Sequence, residues 1–366
     1  MKKPTLCVIF GGKSSEYEVS LRSAYGVITH IDNEKYDLVR LGITKRGEWY
    51  IFEGENEEIL KDEWHLRAVT PVTFDLSNGH LIVLDKELYA IVVDLFLPIL
   101  HGEYGEDGRI QALFDIAGVK YVGCGAFSSH ICMDKNLAKG VAEKIGVPVA
   151  KQCLVNAKYN VQNAKSTTLS SCLRHIPLLA QRRLEDENFV EIGYPVFVKP
   201  TMCGSSVGVS RVENQEELKP ALENALKYGD EVLIEELVDG IEVEIGVLET
   251  KNGIALSDVG MVKHRGIFYD YDTKYKCEDN EYLIPAPIEN DVTEKIKKAA
   301  KGLFFALGCR GLARLDFFVK KDGAIVFNEV NTLPGFTEKS MFPSLFKGQG
   351  LDYDDVVKTM IENVIC

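Results

Sequence analysis

Two carboxylates that could share a metal ion occur in the stretch 311–331, GLARLDFFVKKDGAIVFNEVN. Its two apolar runs are joined by Asp322-Gly323, a dipeptide typical of two-residue β-hairpin turns. If these residues form the turn, Lys321 pairs with Ala324. Side chains alternate along a strand, so counting outward from the turn predicts which ones share a face of the ribbon. The facing pairs are Asp316 with Glu329, and Arg314 with Asn331.

Carboxylates opposed across a β-ladder repel each other, so this pair indicates either a solvated strand face or a site for a cation. Carboxylate and amide oxygens are ligands that Mg²⁺ prefers. Apolar residues surround the pair on both strand faces, which favours a site: Leu315, Phe317, Phe318, Val319, Ile325, Val326 and Phe327. A β-bulge at the turn would shift the pairing by one residue.

A lysine at the end of a buried strand opens the segment KPTMCGSSVG at 199–208. Lys199 can reach phosphate oxygens, and the small residues after it let backbone amides approach a polyphosphate. The segment differs from a Walker A loop because its lysine precedes the glycines. A simple turn is the alternative interpretation.

Three further segments are candidates for binding. IEELVDGIE at 234–242 ends a strand and could contact adenine and ribose. HGEYGEDG at 101–108 places His101 either at the carboxyl ends of parallel strands, where α/β sheets bind ligands, or in the core as a structural donor. The tyrosine-rich segment 264–284 is typical of an active-site lid or of an exposed hairpin insertion.

Bulk composition limits the class of protein. A chain of 366 residues predicts two or three domains. The net charge of −13, with no basic stripe, argues against a nucleic-acid partner. Nine cysteines without CxxC spacing are typical of reduced thiols in a cytoplasmic protein. No apolar run approaches the ~20 residues of a membrane span, so we expect no membrane partner.

Alternating strands and helices in the first part of the chain predict a parallel α/β sheet. Beyond it the strands become shorter and antiparallel. We therefore predict three domains: an N-terminal α/β domain at 1–122, a central α+β domain at 123–212, and a C-terminal α+β domain at 213–366 that carries the lid at 264–284.

With these motifs in this order, the chain resembles the ATP-grasp ligases and, within them, the D-alanine–D-alanine ligase family. The resemblance extends from GGKSSEYEVS at 11–20 to NEVNTLPGF at 328–336, which is nearly the whole chain. It implies an ATP-grasp fold in which the two antiparallel domains clasp ATP. It also implies two Mg²⁺ ions, with Mn²⁺ as a substitute, and allows a homodimer.

The resemblance also implies residue roles. The residues matching the catalytic groups are Glu16, Ser205, Tyr275, Arg314 and Gly335. Those around the two amino-acid substrates are His101, Lys274, Ser340 and Met341. Those matching the ATP site are Lys135, Lys199, Ser206, Glu235, Glu236, Leu237 and Glu242. The Mg²⁺ ligands are Asp316, Glu329 and Asn331. Among these, Arg314 stabilises the transferred phosphoryl group, and the Gly335 amide is an oxyanion donor.

The implied reaction forms an acyl phosphate from the first D-alanine and ATP, and the amine of the second D-amino acid then displaces phosphate. Tyr275 is replaced in D-lactate-using members, so its presence favours an amine as the nucleophile. The apolar Met341 favours D-alanine as the second substrate. The runs EYE at 16–18 and LGITKRGEWYIF at 41–52 also resemble the vancomycin-resistance branch. D-Serine is therefore the alternative.

Three other functions compete with this interpretation. The first is another ATP-grasp carboxylate–amine ligase with a different acceptor. The second is a nucleotide-binding protein without catalysis, which the presence of Arg314, Asp316 and Asn331 argues against. The third is a nicotinamide-dependent oxidoreductase, which requires a GxGxxG spacing. Gly11 and Gly12 are followed by Lys-Ser-Ser instead.

Overall fold

The computed structural model describes residues 2–66, 69–156, 192–263 and 281–365. Most of the predicted lid, including Lys274 and Tyr275, lies outside the described residues. Within the described ranges the strands form three sheets, and the candidate site residues lie where these sheets meet.

The first sheet is formed by the N-terminal part of the chain. Its strands are β1 (Thr5–Gly11), β2 (Asp37–Ile43), β3 (Trp49–Phe52), β4 (Val69–Phe74), β5 (Leu81–Val83), β6 (Tyr89–Ile91) and β7 (Leu95–Pro98), in the order β6-β5-β4-β3-β2-β1-β7. Only β2, β1 and β7 are parallel. The prediction of a parallel sheet is therefore wrong for β3 to β6, which are antiparallel. The five residues 44–48 between β2 and β3 are too few for the crossover that parallel strands need.

The first sheet packs against helices from both ends of the chain. They are α1 (Tyr17–His30), α2 (Asn56–Leu60), α3 (Arg109–Ala117) and, far later in the sequence, α9 (Tyr353–Ile365). Leu21 and Val27 of α1 lie in one apolar core with Val357 and Ile361 of α9. The C-terminal helix therefore shares the core of the N-terminal sheet.

The second sheet is antiparallel. It contains β8 (Gln152–Asn156), β9 (Val196–Pro200), β10 (Ser210–Val212) and β11 (Glu231–Glu236), in the order β10-β9-β11-β8. One helix packs on this sheet, α6 (Gln215–Ala225). Two earlier helices, α4 (Ala126–Met133) and α5 (Lys135–Lys144), place their buried apolar side chains in the core of the third sheet. The predicted domain boundary at 212/213 falls between β10 and β11, which lie in this same sheet. The division into three domains stays a prediction, and the sheet topology favours a boundary between β11 and the next strand.

The third sheet carries the predicted hairpin. Its strands are β12 (Gly240–Thr250), β13 (Gly253–Lys263), β14 (Glu281–Leu283), β15 (Leu312–Lys320) and β16 (Ile325–Asn331), in the order β14-β13-β12-β15-β16. Two helices accompany it, α7 (Asn290–Ala306) and α8 (Met341–Leu345). Apolar side chains of α7, among them Ile296 and Leu303, share a core with Val243, Leu315 and Phe327 of the sheet.

The β15–β16 hairpin confirms the pairing predicted at the site, although the predicted turn is wrong. Lys320 N donates to Ala324 O, so the turn has three residues where two were expected. Its last residue, Gly323, has φ +77°, the left-handed conformation that three-residue turns also use. The pairing shifts back by one residue at a β-bulge between Asp316 and Phe317. Beyond the bulge the facing residues are Asp316 with Glu329, and Arg314 with Asn331.

Candidate active site

A cavity of about 420 Å³ lies where the N-terminal loops, the Gly-Ser loop and the third sheet meet. Ten of the predicted site residues line it: Glu16, His101, Lys135, Ser205, Arg314, Glu329, Asn331, Gly335, Ser340 and Met341. Sequence positions separated by up to 325 residues are thus brought together around one space of substrate size.

Three carboxylates stand side by side on neighbouring strands of the third sheet. Glu244 of β12 pairs with Asp316 of β15, which pairs in turn with Glu329 of β16. We call these three residues the carboxylate row. Sequence reasoning missed Glu244, although the signal was present. A carboxylate two residues after Glu242 lies on the same strand face, within an otherwise apolar run.

Arg314 lies inside the carboxylate row. Its Nε and Nη2 donate to Oδ1 and Oδ2 of Asp316 at 2.8 and 2.7 Å, and its Nε lies 2.9 Å from Oε2 of Glu244. Burial would lower the pKa of Arg314, but the charges of Asp316 and Glu244 outweigh it and raise that pKa well above its ordinary value. The guanidinium is therefore a permanent positive charge, held in a fixed orientation at the cavity wall.

Two further side chains, Asn331 and Lys135, also approach oxygens of the carboxylate row. Asn331 Nδ2 donates to Asp316 Oδ2 at 3.1 Å, and Lys135 Nζ lies 3.3 Å from Glu329 Oε2. Lys135 also donates to the carbonyl of Cys203 at 2.6 Å. Excess negative charge here is thus partly neutralised by cations of the protein itself.

The carboxylate row suits a hard divalent cation in its donor chemistry. Its side chains offer carboxylate oxygens, and Asn331 adds an amide oxygen, which are the ligand types Mg²⁺ takes. Among the described residues, no three His, Cys, Asp or Glu side chains converge in a ready metal-binding arrangement. The residues fit Mg²⁺ by chemistry, and the assignment of Asp316, Glu329 and Asn331 as its ligands stays a prediction.

A second charged cluster lies between α5 and the second sheet, and its charge is of opposite sign. Glu235 of β11 forms ion pairs with Lys139 and with Lys199, whose Nζ lies 2.5 Å from Glu235 Oε2. We call these three residues the lysine cluster. Burial raises the pKa of Glu235, but the charges of Lys139 and Lys199 outweigh it and hold that pKa at about 2. Burial lowers the pKa of Lys139 to about 8.

Sequence reasoning predicted two members of the lysine cluster and missed Lys139. Lys139 is 1% exposed and lies in the middle of α5. The helix sequence gives no sign that this lysine is buried. The carboxylate of Glu235 is buried and forms ion pairs with two lysines in this structure. The predicted contact of Glu235 with ATP stays a prediction.

The other predicted ATP-site residues lie at the junction of β11 and β12 and in the Gly-Ser loop. Glu236 Oε1 accepts from Lys151 N at 3.0 Å, Leu237 N donates to Pro195 O, and Glu242 accepts from a side chain of β16. Ser206 has φ +58° and Ser205 has φ +51°. Two consecutive serines in the left-handed region indicate a strained loop, a feature that concentrates at functional sites.

Glu16 and Ser205 connect the start of α1 to the Gly-Ser loop. The Ser205 hydroxyl donates to Glu16 Oε1. A side chain at Gly102 would collide with the Glu16 carboxylate, its Cβ lying 2.4 Å from Oε2. The structure therefore brings together two of the three residues predicted around the first substrate. The third, Tyr275, lies outside the described residues.

The opposite wall of the cavity holds Ser340 and Met341. The Ser340 hydroxyl accepts from Thr337 N at 2.9 Å, which folds the loop back toward Gly335. Met341 is buried in a small apolar cluster with Val262 and Leu345. This wall is therefore apolar at residue 341 and polar at residue 340.

Comparisons with known proteins agree with this arrangement. The family model "D-ala D-ala ligase N-terminus" matches residues 5–124, and "D-ala D-ala ligase C-terminus" matches residues 174–362. A D-alanine–D-alanine ligase of Clostridium acetobutylicum is 38% identical over 361 residues, covering 98% of this chain and 97% of that protein. One of Ruminiclostridium cellulolyticum is 39% identical over 376 residues, covering 99% and 95%.

Solved structures are similar as well. The VanG D-Ala:D-Ser ligase of Enterococcus faecalis is 35% identical, with a TM-score of 0.85 and 99% of each chain covered. The D-alanine–D-alanine ligase of Coxiella burnetii is 27% identical, with a TM-score of 0.80, covering 100% of this chain and 94% of that one.

The three sheets, with one cavity between them, thus have the ATP-grasp fold of ligases, as the sequence predicted. More narrowly, the chain belongs to the D-alanine–D-alanine ligase family, which implies an ATP-dependent enzyme. Among the described residues, none of the helices combines the length and apolar character needed to cross a bilayer.

Proposed function

We propose that this protein joins two molecules of D-alanine at the expense of ATP, in the cytoplasm, to supply the dipeptide for peptidoglycan precursors. The observation that carries the proposal is the meeting of two groups in one cavity. These are the carboxylate row with Arg314, suited to phosphoryl transfer, and the Glu16–Ser205 pair, suited to an amino acid. Membership of the ligase family supports both assignments.

ATP would lie between the lysine cluster and the carboxylate row. Lys135 and Lys199 carry the positive charge that phosphates need, and the junction of β11 and β12 offers backbone groups to the base. Asp316, Glu329 and Asn331 would hold Mg²⁺, which when bound neutralises phosphate charge. Lys135 contacts both Glu329 and the Gly-Ser loop, so it is placed to orient the terminal phosphates.

The protein's own groups act at both chemical steps. When the first D-alanine carboxylate attacks the γ-phosphate, Arg314 stabilises the charge on the transferring group. When the second amine adds to the acyl phosphate, the Gly335 amide is placed to donate to the oxyanion. The acyl phosphate would hydrolyse in water, so the reaction requires that water be excluded from the cavity while this intermediate exists.

The second substrate is proposed to be D-alanine. Met341 lies among apolar side chains and offers a hydroxyl group only a weakly accepting thioether, which favours a methyl side chain. D-Serine is the second candidate because the similar VanG protein is a D-Ala:D-Ser ligase.

One experiment tests the function and the second substrate together. Phosphate release is measured with ATP, Mg²⁺ and D-alanine alone, and then with D-serine or D-lactate added, and the products are identified by mass. We expect D-alanyl-D-alanine as the main product even with equal D-serine. A main product of D-alanyl-D-serine would overturn the second-substrate assignment, and no phosphate release with any D-amino acid would overturn the function.

A further inference from the structure

The loop that contains Gly335 is held by side chains that no proposed catalytic role requires. We define this loop as residues 333–336. The backbone N–H of Leu333 donates to Glu106 Oε1 at 3.1 Å, and that of Phe336 donates to Ser23 Oγ at 3.2 Å. Both acceptors come from the N-terminal part of the chain, more than 220 residues away.

The two matching carbonyl groups are held as well. His101 Nδ1 lies 2.9 Å from Leu333 O, and the Tyr353 hydroxyl donates to Phe336 O at 2.7 Å. The N–H and the C=O of Leu333 and of Phe336 are thus four backbone groups, and each is bonded to a different side chain. A loop of this length on a protein surface would bond mostly to water.

Hydrogen-bond chemistry sets the direction of this network. A carbonyl oxygen only accepts, so His101 Nδ1 carries the proton and Nε2 is an acceptor in the neutral ring. Nε2 lies 3.0 Å from Ser23 Oγ, which must therefore donate to it while accepting from Phe336 N. Burial lowers the pKa of His101, in agreement with a neutral imidazole. Ser23 and His101 thus form one relay between the two ends of the loop.

One backbone N–H of the loop, that of Gly335, remains without a hydrogen-bond partner among the described residues. Pro334 has no N–H, and the amide of Thr337, just beyond the loop, is taken by Ser340. Within the described parts of the chain, Gly335 N is the loop amide with no protein partner, and Gly335 lines the cavity. The four bonds therefore leave one loop amide available, and it belongs to a residue that lines the cavity.

The close approach of α1 at Gly26 is independent evidence that the sequence is adapted to the bond between Tyr353 and the loop. A Cβ at Gly26 would lie 2.9 Å from the Tyr353 hydroxyl and 3.5 Å from Phe336 O. α1 can therefore approach the bond between Tyr353 and the loop only because residue 26 has no side chain. Gly26 also lies on the same helix as Ser23, so one helix supports both bonds to Phe336.

We propose that Ser23 and Tyr353 are positioning residues for the Gly335 oxyanion donor, acting with His101 and Glu106 to fix the loop 333–336 across the junction of the first and third sheets. This inference rests on the proposed function, in which Gly335 stabilises the tetrahedral intermediate. Preorganised donors are effective because they need no reorganisation during the reaction.

The test uses Ser23→Ala and Tyr353→Phe in the full-length protein, each with a matched control. Ser20→Ala also removes a buried α1 hydroxyl that bonds backbone groups, those of Gly11 and Ile99. Tyr121→Phe also removes a buried phenol bond, 2.7 Å long, to Asp115. The hydrogen bonds of both control side chains go to residues outside the loop, so the controls report the cost of losing a buried hydroxyl elsewhere.

We expect both loop variants to lower kcat for dipeptide formation about tenfold or more, with KM for ATP unchanged, because small misplacements of a catalytic group are costly. The control variants should keep the wild-type kcat, although their Tm should fall by about as much as that of the loop variants. Hydrogen–deuterium exchange should rise in the peptide that contains residues 333–337 in the loop variants and not in the controls.

Several outcomes would overturn the proposal. One is unchanged kcat in both loop variants, and another is an equal loss of kcat in the controls. A third is unchanged exchange of the loop peptide, which tests the loop contacts without any activity. A wild-type protein that forms no dipeptide would instead overturn the proposed function, while the exchange measurement would still judge whether these side chains hold the loop.

Discussion

The carboxylate row and the lysine cluster are opposite solutions to the problem of burying charge. In the row, three carboxylates are paired with two cations, Arg314 and Lys135, while in the cluster two lysines share one carboxylate. A cluster built only for stability would balance its charges, because an unpaired buried charge is costly. Counted over the described residues, each cluster instead keeps an excess of one sign, and the two excesses are opposite.

The difference indicates what each cluster still lacks. The row has excess negative charge and oxygen donors, so it needs cations. The lysine cluster has excess positive charge, so it needs an anion such as phosphate. A nucleotide triphosphate with its divalent cations provides both. Lys135 joins Glu329 of the row to the loop that follows Lys199, through the carbonyl of Cys203.

The largest expected effect is at the centre of the row. Asp316→Asn removes one negative charge but keeps the size of the side chain, so the fold should survive. We expect kcat to fall on the order of 10²–10³-fold, as when a single group that stabilises transition-state charge is lost. Asp322→Asn, in the turn of the same hairpin, is the control and should keep its activity. Near-normal turnover of Asp316→Asn would contradict a catalytic role for the row.

The next effect tests the arginine within the row. Arg314→Lys keeps the charge but loses the two parallel bonds to Asp316, which only a guanidinium can make. Steady-state kinetics should show kcat reduced about a hundredfold, with a smaller change in KM for ATP. The matched control is Arg211→Lys, at an exposed arginine. A raised KM with unchanged kcat would place Arg314 in ATP binding alone.

The lysine cluster should respond differently at its two lysines. Lys199→Met should raise KM for ATP roughly ten- to hundredfold, the effect of one charged hydrogen bond. In Lys139→Met, the buried carboxylate of Glu235 keeps only one of its two ion-pair partners. The free energy of unfolding, measured in urea, should therefore fall by about 3 kcal/mol. The partly exposed Lys219, changed to Met, is the control for loss of a lysine. Equal KM values for the Lys139 and Lys199 variants would contradict this division of roles.

The smallest effect is the pH dependence of the lysine cluster. The pKa of Glu235 is about 2, below its ordinary value of 4.5, so its ionised form stabilises the folded state. That contribution is complete above about pH 4.5 and is lost as the pH falls toward 2. The difference in unfolding free energy between wild type and Glu235→Gln should therefore narrow over this window. A constant difference would show that the charge of Glu235 contributes nothing.

Local patterns in the sequence predicted part of this arrangement, and contacts between distant segments account for the rest. Counting from a two-residue turn paired Asp316 with Glu329 correctly because two departures from that count cancel. The turn has three residues, and the β-bulge between Asp316 and Phe317 shifts the register back by one. Lys139 was missed because a helix sequence does not reveal which lysine points into the protein. The bonds to residues 333–336 were equally hidden, since Ser23 and His101 are more than 230 residues away.

Nucleotide binding with and without metal tests the contrast between the two clusters most directly. Calorimetry would measure the affinity for a non-hydrolysable ATP analogue, with and without Mg²⁺, in wild type, Asp316→Asn and Lys199→Met. We predict that Asp316→Asn abolishes the gain in affinity from Mg²⁺ but keeps metal-free binding, while Lys199→Met weakens binding in both conditions. An undiminished Mg²⁺ gain in Asp316→Asn would contradict the assignment of the carboxylate row as the cation site.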